Sequence, residues 1–203
     1  VHIIVGSFML VGITKTLLIK ELPRVAPLPT HFKNFVVAPL KEFFSREGKG
    51  AALLILAFLI FYKLGDNLAT SLSTAFYLDL GFSMTVIGTT GKVVNFWSMI
   101  IGTFIGGYYI HRLGINRCLW YFGILQMASI FGFAVLNETG PVLWVFVCVI
   151  AFEYLGVGLG SSALIAYMAR ATNKNFTATQ FALFSSIITI PRTLFNASTG
   201  FLV

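Results

Sequence analysis

Long apolar stretches are the feature that most constrains this chain. Six of them can be read along its 203 residues, and the clearest begins with AALLILAFLI at Ala51. A helix needs about 20 apolar residues to cross the hydrocarbon core of a bilayer. The content of 57% hydrophobic and 10% charged residues also lies outside the range of ordinary soluble domains. The sequence therefore predicts an all-α polytopic membrane protein.

The apolar stretches divide the chain into three parts. We expect residues 1–13 to be the end of one membrane helix, residues 14–49 to be a linker with an amphipathic helix, and residues 50–203 to be a helical bundle. Within the bundle the predicted spans are 50–76, 86–110, 118–136, 142–169 and 178–203. Because apolar residues run up to both ends of the sequence, we interpret it as a fragment of a longer protein.

Basic residues are concentrated in alternate loops. Seven of the fourteen Lys and Arg residues lie in 14–49, and four more lie in the short loops HRLGINR and RATNKNF. The intervening loops YLDLGFS and NETGP contain none. Cytoplasmic loops of membrane proteins carry such an excess. We therefore expect the linker and both basic loops to be cytoplasmic, and we attribute the formal charge of +7 to membrane topology rather than to nucleic-acid binding.

Five ionisable residues lie inside the predicted spans: Lys63, Asp66, Lys92, Glu153 and Arg192. A charge at the bilayer centre costs at least about 2.5 kcal/mol, so it normally has a partner, water or a function there. Lys63 and Asp66 are three residues apart and can neutralise each other on one helix face. Since Lys63, Glu153 and Arg192 each lie near the middle of their own spans, we expect them at one depth, facing a common cavity.

The balance of these charges leaves two interpretations. Three cations face two anions, so at least one cation lacks a fixed partner that an anionic substrate could supply. A carboxyl group shielded from water can exchange a proton near neutral pH, which makes Glu153 and Asp66 candidates for proton coupling. The alternative is a purely structural pair between Lys63 and Asp66. The span at 118–136 carries no charge, and we expect it to be a peripheral, lipid-facing helix.

Small and polar residues add two further expectations. Glycines in GTFIG at 102–106 and in GVGLG at 156–160 are spaced so that neighbouring helices can approach closely. Thr177 and Gln180 have the spacing of a helix capping box, so we interpret Gln180 first as a capping residue and second as a cavity contact.

No catalytic or metal-binding pattern is evident in the sequence. The three histidines and two cysteines lack neighbours at metal-ligand spacing. No nucleophile beside a base, phosphate-binding loop or paired catalytic carboxylates can be identified. We therefore expect no enzyme activity, no cofactor and no metal site, and a membrane-embedded transferase is a less favoured alternative.

The loop after the third span carries a recognisable motif. The segment GGYYIHRLGINR, with Gly107, His111, Arg112, Gly114 and Arg117, resembles the cytoplasmic loop motif of the major facilitator superfamily. His111 stands where an acid is usual, as in the copy of the motif in the second half of that fold. The resemblance implies the C-terminal half of a twelve-helix transporter. The chain would then contain the end of the sixth helix and the seventh to eleventh helices, and only the last helix of that half would be missing.

Longer segments resemble the muropeptide permeases of the AmpG type, among them FYKLGDNLATSLST, FEYLGVGLGSSALIAYM and NKNFTATQFALFSS. The resemblance implies a proton symporter of the bacterial inner membrane that imports anhydromuropeptides (GlcNAc-anhydroMurNAc peptides) for peptidoglycan recycling and, in some bacteria, β-lactamase induction. An acetyl-CoA or other organic-anion transporter of the same superfamily is the alternative. The implied partners are an anionic glycopeptide, protons and membrane lipids, without nucleic acid or an obligate protein partner.

The transport interpretation implies a set of residues along the substrate and proton pathway. The set is Lys63, Asp66, Asn67, Lys92, Asn95, Glu153, Ser161, Ser162, Gln180 and Arg192. Its cations are expected to meet the carboxylates of a muropeptide, and its asparagines and serines are expected to meet the hydroxyl groups.

Overall fold

A computed structural model of the chain describes residues 2–19 and 32–202. Its helices are α1 (His2–Leu18), α2 (Phe32–Glu47), α3 (Lys49–Asp79), α4 (Met84–Val86), α5 (Lys92–Leu113), α6 (Ile115–Thr139), α7 (Leu143–Ala171) and α8 (Thr177–Leu202). One π-helical turn, Ile87–Gly91, joins α4 to α5. The described residues contain no strand, so the predicted all-α class is confirmed.

Four of the described helical stretches are long and apolar enough to cross a membrane. They are Lys49–Asp79, Met84–Leu113, Ile115–Thr139 and Leu143–Ala171. Each coincides with a predicted span and extends beyond it, because the helix continues from the apolar run into polar flanking residues. α1 and α8 coincide with the other two predicted spans, whose membrane crossing stays a prediction. Residues 20–31 of the predicted linker lie outside the described residues.

α7 is the central helix of the bundle. α5 and α6 both pack along α7, while α3 packs along α8 and α7 also contacts α8. The share of buried residues in the most apolar window is 56% for α7 and at most 28% for the other three candidate spans. Side chains on α7 therefore meet neighbours on most sides, and this helix is the best placed to join polar groups from different helices.

Glycines of α7 divide between two neighbouring helices. Gly158 faces α5, where an added Cβ would overlap the backbone carbonyl of Met99. Gly156 and Gly160 face α6 instead. A Cβ added at Gly156 would lie 3.5 Å from Gln126 Cα, and one added at Gly160 would lie 2.6 Å from Gln126 Oε1. This division follows from the helix rotation of about 100° per residue, since positions two apart point to nearly opposite sides. Close packing at GVGLG is therefore present and serves two contacts.

The glycines of α5 lie on the same contact with α7. A Cβ added at Gly102 would overlap the carbonyl oxygen of Leu155, and one at Gly106 would overlap Ser162 Oγ. The two small-residue motifs predicted from the sequence thus meet each other, which brings the backbones of α5 and α7 into direct contact.

The amphipathic helix α2 packs against the connection between α7 and α8. Phe43 is 1% exposed, and its ring packs edge-on against Phe184 of α8 with 5.1 Å between ring centroids. Glu42 accepts hydrogen bonds from Asn173 Nδ2 and Gln180 Nε2, each at 2.6 Å. α2 therefore joins the start of the bundle to the beginning of α8.

The capping box predicted at Thr177 and Gln180 does not form. Thr177 Oγ1 donates to the carbonyl oxygen of Asn173 at 2.9 Å, and Gln180 Oε1 accepts from the Asn173 backbone N–H at 2.7 Å. Gln180 is 1% exposed and also donates to the carbonyl oxygen of Pro39 on α2 at 2.9 Å. The contact with α2 draws this side chain away from its own helix, which a local sequence pattern cannot indicate.

We expect Gly158→Ala to destabilise the full-length protein by about 1–3 kcal/mol, the usual cost of overpacking. The new Cβ would overlap backbone atoms of α5, and backbone atoms cannot rotate away. Gly107→Ala is the matched control, because a Cβ there meets nothing within 4 Å. Thermal unfolding of both variants in the same lipid measures the difference. Equal melting temperatures would contradict a tight contact between α5 and α7.

Candidate functional site

The two charged residues in the middle of α3 form an ion pair. Lys63 Nζ contacts Asp66 Oδ2, three residues further along the helix. Lys63 Nζ also donates to Ser161 Oγ on α7 at 3.0 Å. The Lys63 side chain is 15% exposed and the Asp66 side chain 5%. The positive charge is therefore balanced inside the protein, and the pair connects α3 to α7.

Glu153 of α7 forms a second polar centre. It is 4% exposed, and its Oε2 accepts a hydrogen bond from Ser129 Oγ of α6 at 2.5 Å. Among the described side chains, no ion pair involves Glu153. Thr70, Ser73 and Tyr77 of α3 line a small cavity beside the carboxyl group. Glu153 thus accepts a hydrogen bond from α6 and lies beside a small cavity lined in part by hydroxyl-bearing residues of α3.

The two polar centres lie at different points along α7. Ser161, which contacts Lys63, follows Glu153 on α7 by eight residues. Eight helical residues span about 12 Å. Lys63 therefore contacts α7 about two turns away from Glu153, and the expectation that the two residues share one depth in the membrane stays a prediction.

Two polar candidates are hydrogen-bonded within the bundle. Asn67 is 8% exposed, and its Nδ2 donates to the carbonyl oxygen of Ile188 on α8 at 3.5 Å. Ser162 Oγ donates to the carbonyl oxygen of Leu159 in its own helix at 2.7 Å. Gln180 lies at the contact with α2, away from both polar centres. These three side chains connect helices or satisfy backbone groups.

The start of α5 carries the remaining candidates. Lys92 directly follows the π-helical turn Ile87–Gly91 and is exposed, and Asn95 is half-buried one turn later. π-helical turns are frequent at functional sites. Lys92 has no acidic partner within 4.0 Å in the described part of the chain. Arg192 lies on α8, and its side chain is outside the described residues.

Two buried polar residues on α6 were not predicted from the sequence. Gln126 is 5% exposed and Ser129 is fully buried, and both face α7. The opposite side of α6 is apolar and exposed, as expected for a peripheral helix, with Trp120 at 75% and Phe131 at 74%. A signal was available, because Gln126 and Ser129 are three residues apart on one face of an otherwise apolar helix.

A cavity of about 660 Å³ lies between α3 and α6. Its wall is largely aromatic and apolar, with Phe58, Tyr62 and Trp120 among the lining residues. Asp66 and Gln126 also line it, and Asp66 Oδ1 and Gln126 Nε2 make no hydrogen bond within the described part of the chain. Two buried polar side chains with an unpaired atom therefore lie in a largely apolar wall.

The residues of the loop motif gather at the connection between α5 and α6. Gly114 alone joins the two helices, and its φ of 82° lies in the left-handed region that favours glycine. The guanidinium of Arg112 lies over the ring of Tyr108, 5.6 Å from its centroid. All five members of the motif are exposed: Gly107, His111, Arg112, Gly114 and Arg117. A tight turn between two spans is thus flanked by exposed basic residues.

The sequence of these helices matches a known family. Residues 1–195 match the model of the Major Facilitator Superfamily. This chain belongs to the major facilitator superfamily. The family predicted from the loop motif is thereby confirmed, and the four apolar helices make this superfamily member a multi-pass membrane protein.

Individual relatives narrow the resemblance within the superfamily. The chain is 42% identical over 204 residues to an uncharacterised protein of Haemophilus influenzae, covering 96% of the chain and 48% of that protein. It is 36% identical over 201 residues to the anhydromuropeptide permease of Escherichia coli K12, covering 98% and 40%. It is 31% identical over 183 residues to the putative transporter AmpG 4 of Rickettsia conorii, covering 90% and 43%.

These matches confirm the predicted similarity to permeases of the AmpG type. The chain spans less than half the length of each of these three relatives.

We expect Ser161→Ala to lower the free energy of unfolding of the full-length protein by about 0.6–2 kcal/mol, the range for hydrogen bonds between membrane helices. The Lys63 ammonium group would lose its contact with α7. Ser162→Ala is the matched control, because the neighbouring hydroxyl donates within its own helix. Unfolding of both variants in the same lipid gives the two costs. A cost for Ser162→Ala that equals or exceeds that for Ser161→Ala would contradict this role.

Proposed function

We propose that the full-length protein imports anhydromuropeptides across the bacterial inner membrane by proton symport and so serves peptidoglycan recycling. Similarity to the anhydromuropeptide permease of Escherichia coli over 98% of the chain supports the substrate class. The buried carboxyl group of Glu153 supports the coupling to protons. Where a bacterium senses muropeptides to induce β-lactamase, this import would supply the signal.

The surroundings of Glu153 are the observation that carries the coupling. Its carboxyl group is 4% exposed, accepts a hydrogen bond from Ser129, and has no ion-pair partner among the described side chains. The ionised form keeps a hydrogen bond from this hydroxyl, and the neutral form buries no charge. Because neither form is held by a cation, such a group can bind and release a proton during a transport cycle.

Asp66 is the less favoured proton carrier. Its Oδ2 contacts Lys63 Nζ, and protonation of Asp66 would leave that ammonium group buried with only Ser161 beside it. Removing one partner of a buried ion pair is strongly unfavourable. We therefore assign Lys63, Asp66 and Ser161 to the connection between α3 and α7.

The substrate requires cations and hydrogen-bonding groups, since a muropeptide carries carboxylates and sugar hydroxyls. We assign the contact with a substrate carboxylate to Lys92, whose charge has no acidic partner in the described part of the chain. Asn95, half-buried one turn later, is assigned to a hydroxyl group. Arg192 on α8 stays a candidate for a second carboxylate.

Uptake of labelled anhydromuropeptide tests the proposed function. Inverted and right-side-out vesicles that contain the full-length protein would be compared with vesicles that lack it. We expect uptake by right-side-out vesicles that an uncoupler abolishes and that unlabelled anhydromuropeptide, but not acetyl-CoA, inhibits. Inhibition by acetyl-CoA with no effect of anhydromuropeptide would favour the organic-anion alternative, and uptake that is insensitive to the uncoupler would contradict proton symport.

We expect Glu153→Gln to abolish accumulation of substrate against its gradient, while exchange of internal for external substrate continues. The amide mimics the protonated carboxyl group and cannot release a proton. Glu138→Gln is the matched control, because Glu138 is exposed near the end of α6. Accumulation ratios and exchange rates of the two variants, at equal amounts of protein in the membrane, provide the measurement. Normal accumulation by Glu153→Gln would remove Glu153 from the coupling mechanism.

A further inference from the structure

Ser129 of α6 is positioned between two hydrogen-bond acceptors. Its Oγ lies 2.5 Å from Glu153 Oε2 and 2.8 Å from the backbone carbonyl oxygen of Gln126, one turn earlier in its own helix. Ser129 is fully buried and Glu153 is 4% exposed. Water therefore has little access to the contact, and these groups must satisfy one another.

The number of protons at this contact is the deciding constraint. A serine hydroxyl carries one hydrogen and can donate one hydrogen bond at a time, while its oxygen can also accept. With Glu153 ionised, the single hydroxyl proton of Ser129 points to the carboxylate. With Glu153 protonated, the carboxylic proton can point to Ser129 Oγ, and the hydroxyl proton can then turn to the Gln126 carbonyl. Only when Glu153 is protonated are the contacts of Ser129 Oγ with Glu153 and with the Gln126 carbonyl both hydrogen bonds.

We propose that Ser129 is a positioning residue for Glu153, whose hydroxyl group reverses its hydrogen bond when Glu153 gains or loses the transported proton. The proposal rests on the proposed function, in which Glu153 carries that proton. It assigns a role in proton coupling to α6, although the apolar sequence of this helix predicts only contact with lipid. The reversal leaves Oε2 of Glu153 hydrogen-bonded in both states, which lowers the cost of burying either form.

The packing around the contact supports this assignment. Gly156 follows Glu153 by three residues, and a Cβ there would lie 3.5 Å from both Ser129 Oγ and Gln126 Cα. These are ordinary van der Waals distances, so α6 and α7 lie against each other at this level without overlap.

Other titratable groups near Glu153 belong to two helices, α3 and α7. On α3 these are the Lys63–Asp66 ion pair and Tyr77, and on α7 the neighbour is Tyr154. α6 contributes only the neutral Gln126 and Ser129 to this side. The ion pair has no net charge. Ser129 is in direct hydrogen-bond contact with the carboxyl group of Glu153.

The pH dependence of uptake by the full-length protein tests the proposal. Ser129→Ala removes a hydrogen bond that is stronger to the ionised carboxylate than to the neutral acid. We expect the pH at which uptake is half-maximal to rise by about one unit, which corresponds to a tenfold change in proton affinity. Ser129→Thr keeps the hydroxyl group and should restore the original midpoint, while Ser185→Ala, whose hydroxyl donates within α8, should not move it.

Ser129→Cys provides a further variant if Ser129→Ala does not reach the membrane. The thiol has nearly the size of the hydroxyl group but is a weak donor, so an intermediate shift is expected. Infrared difference spectra between acidic and alkaline pH give a readout other than transport. The carbonyl band of a protonated carboxyl group should disappear in Glu153→Gln, shift in Ser129→Ala and Ser129→Cys, and stay unchanged in Ser185→Ala.

The outcomes separate this inference from the proposed function. If Glu153→Gln loses accumulation but Ser129→Ala keeps the original pH midpoint and carbonyl band, Ser129 does not position Glu153 and only this inference is overturned. If Glu153→Gln accumulates substrate normally, proton coupling through Glu153 fails, and the inference fails with it. A shift in Ser129→Thr as large as that in Ser129→Ala would show that the hydroxyl group is not the cause and would also overturn the inference.

Discussion

A polar group inside a membrane must find its partners within the protein, and the arrangement of this bundle depends on that constraint. Lys63 is neutralised by Asp66 and donates to Ser161, so the charge that α3 carries also attaches it to α7. Glu153 meets the same requirement with a hydroxyl group from α6. The two arrangements differ in one respect. Lys63 and Asp66 form a closed ion pair, whereas Glu153 has no cation as an ion-pair partner among the described residues.

This difference divides the polar residues between structure and chemistry. A closed pair of opposite charges is costly to break from either side, so it suits a permanent contact between helices. A carboxyl group that is hydrogen-bonded to a hydroxyl can change its protonation state while it stays bonded. The proposed roles, a contact between α3 and α7 for Lys63 and Asp66 and proton transfer for Glu153, rest on these two environments. Among the described side chains inside the predicted spans, Lys92 is then the cation whose charge is available to a substrate.

Hydropathy and charge were sufficient to predict the spans that became α3, α5, α6 and α7, and three-residue spacing was sufficient for the pair of Lys63 and Asp66. The glycine motifs also predicted close packing, because backbone contact between helices requires small residues. Ser129 was not predicted, because an uncharged hydroxyl group in an apolar helix is indicated only by its three-residue spacing from Gln126. The relative heights of Lys63 and Glu153 in the membrane depend on how α3 is placed against α7. The sequence of either helix alone does not determine this placement. Gln180 was misassigned for a similar reason, since two of its partners, Pro39 and Glu42, lie on α2, about 140 residues earlier.

The most direct test of this account is a double-mutant cycle on the ion pair of α3. The free energy of unfolding would be measured in lipid for the full-length protein and for Lys63→Met, Asp66→Asn and the double variant. Each single change leaves one buried charge without its partner, which costs about 3–5 kcal/mol, whereas the double change removes both charges. The account predicts that the double variant loses much less stability than the sum of the two single variants. Additive losses would show that Lys63 and Asp66 do not neutralise each other inside the membrane, and the division between a structural pair and a proton-carrying Glu153 would then lose its basis.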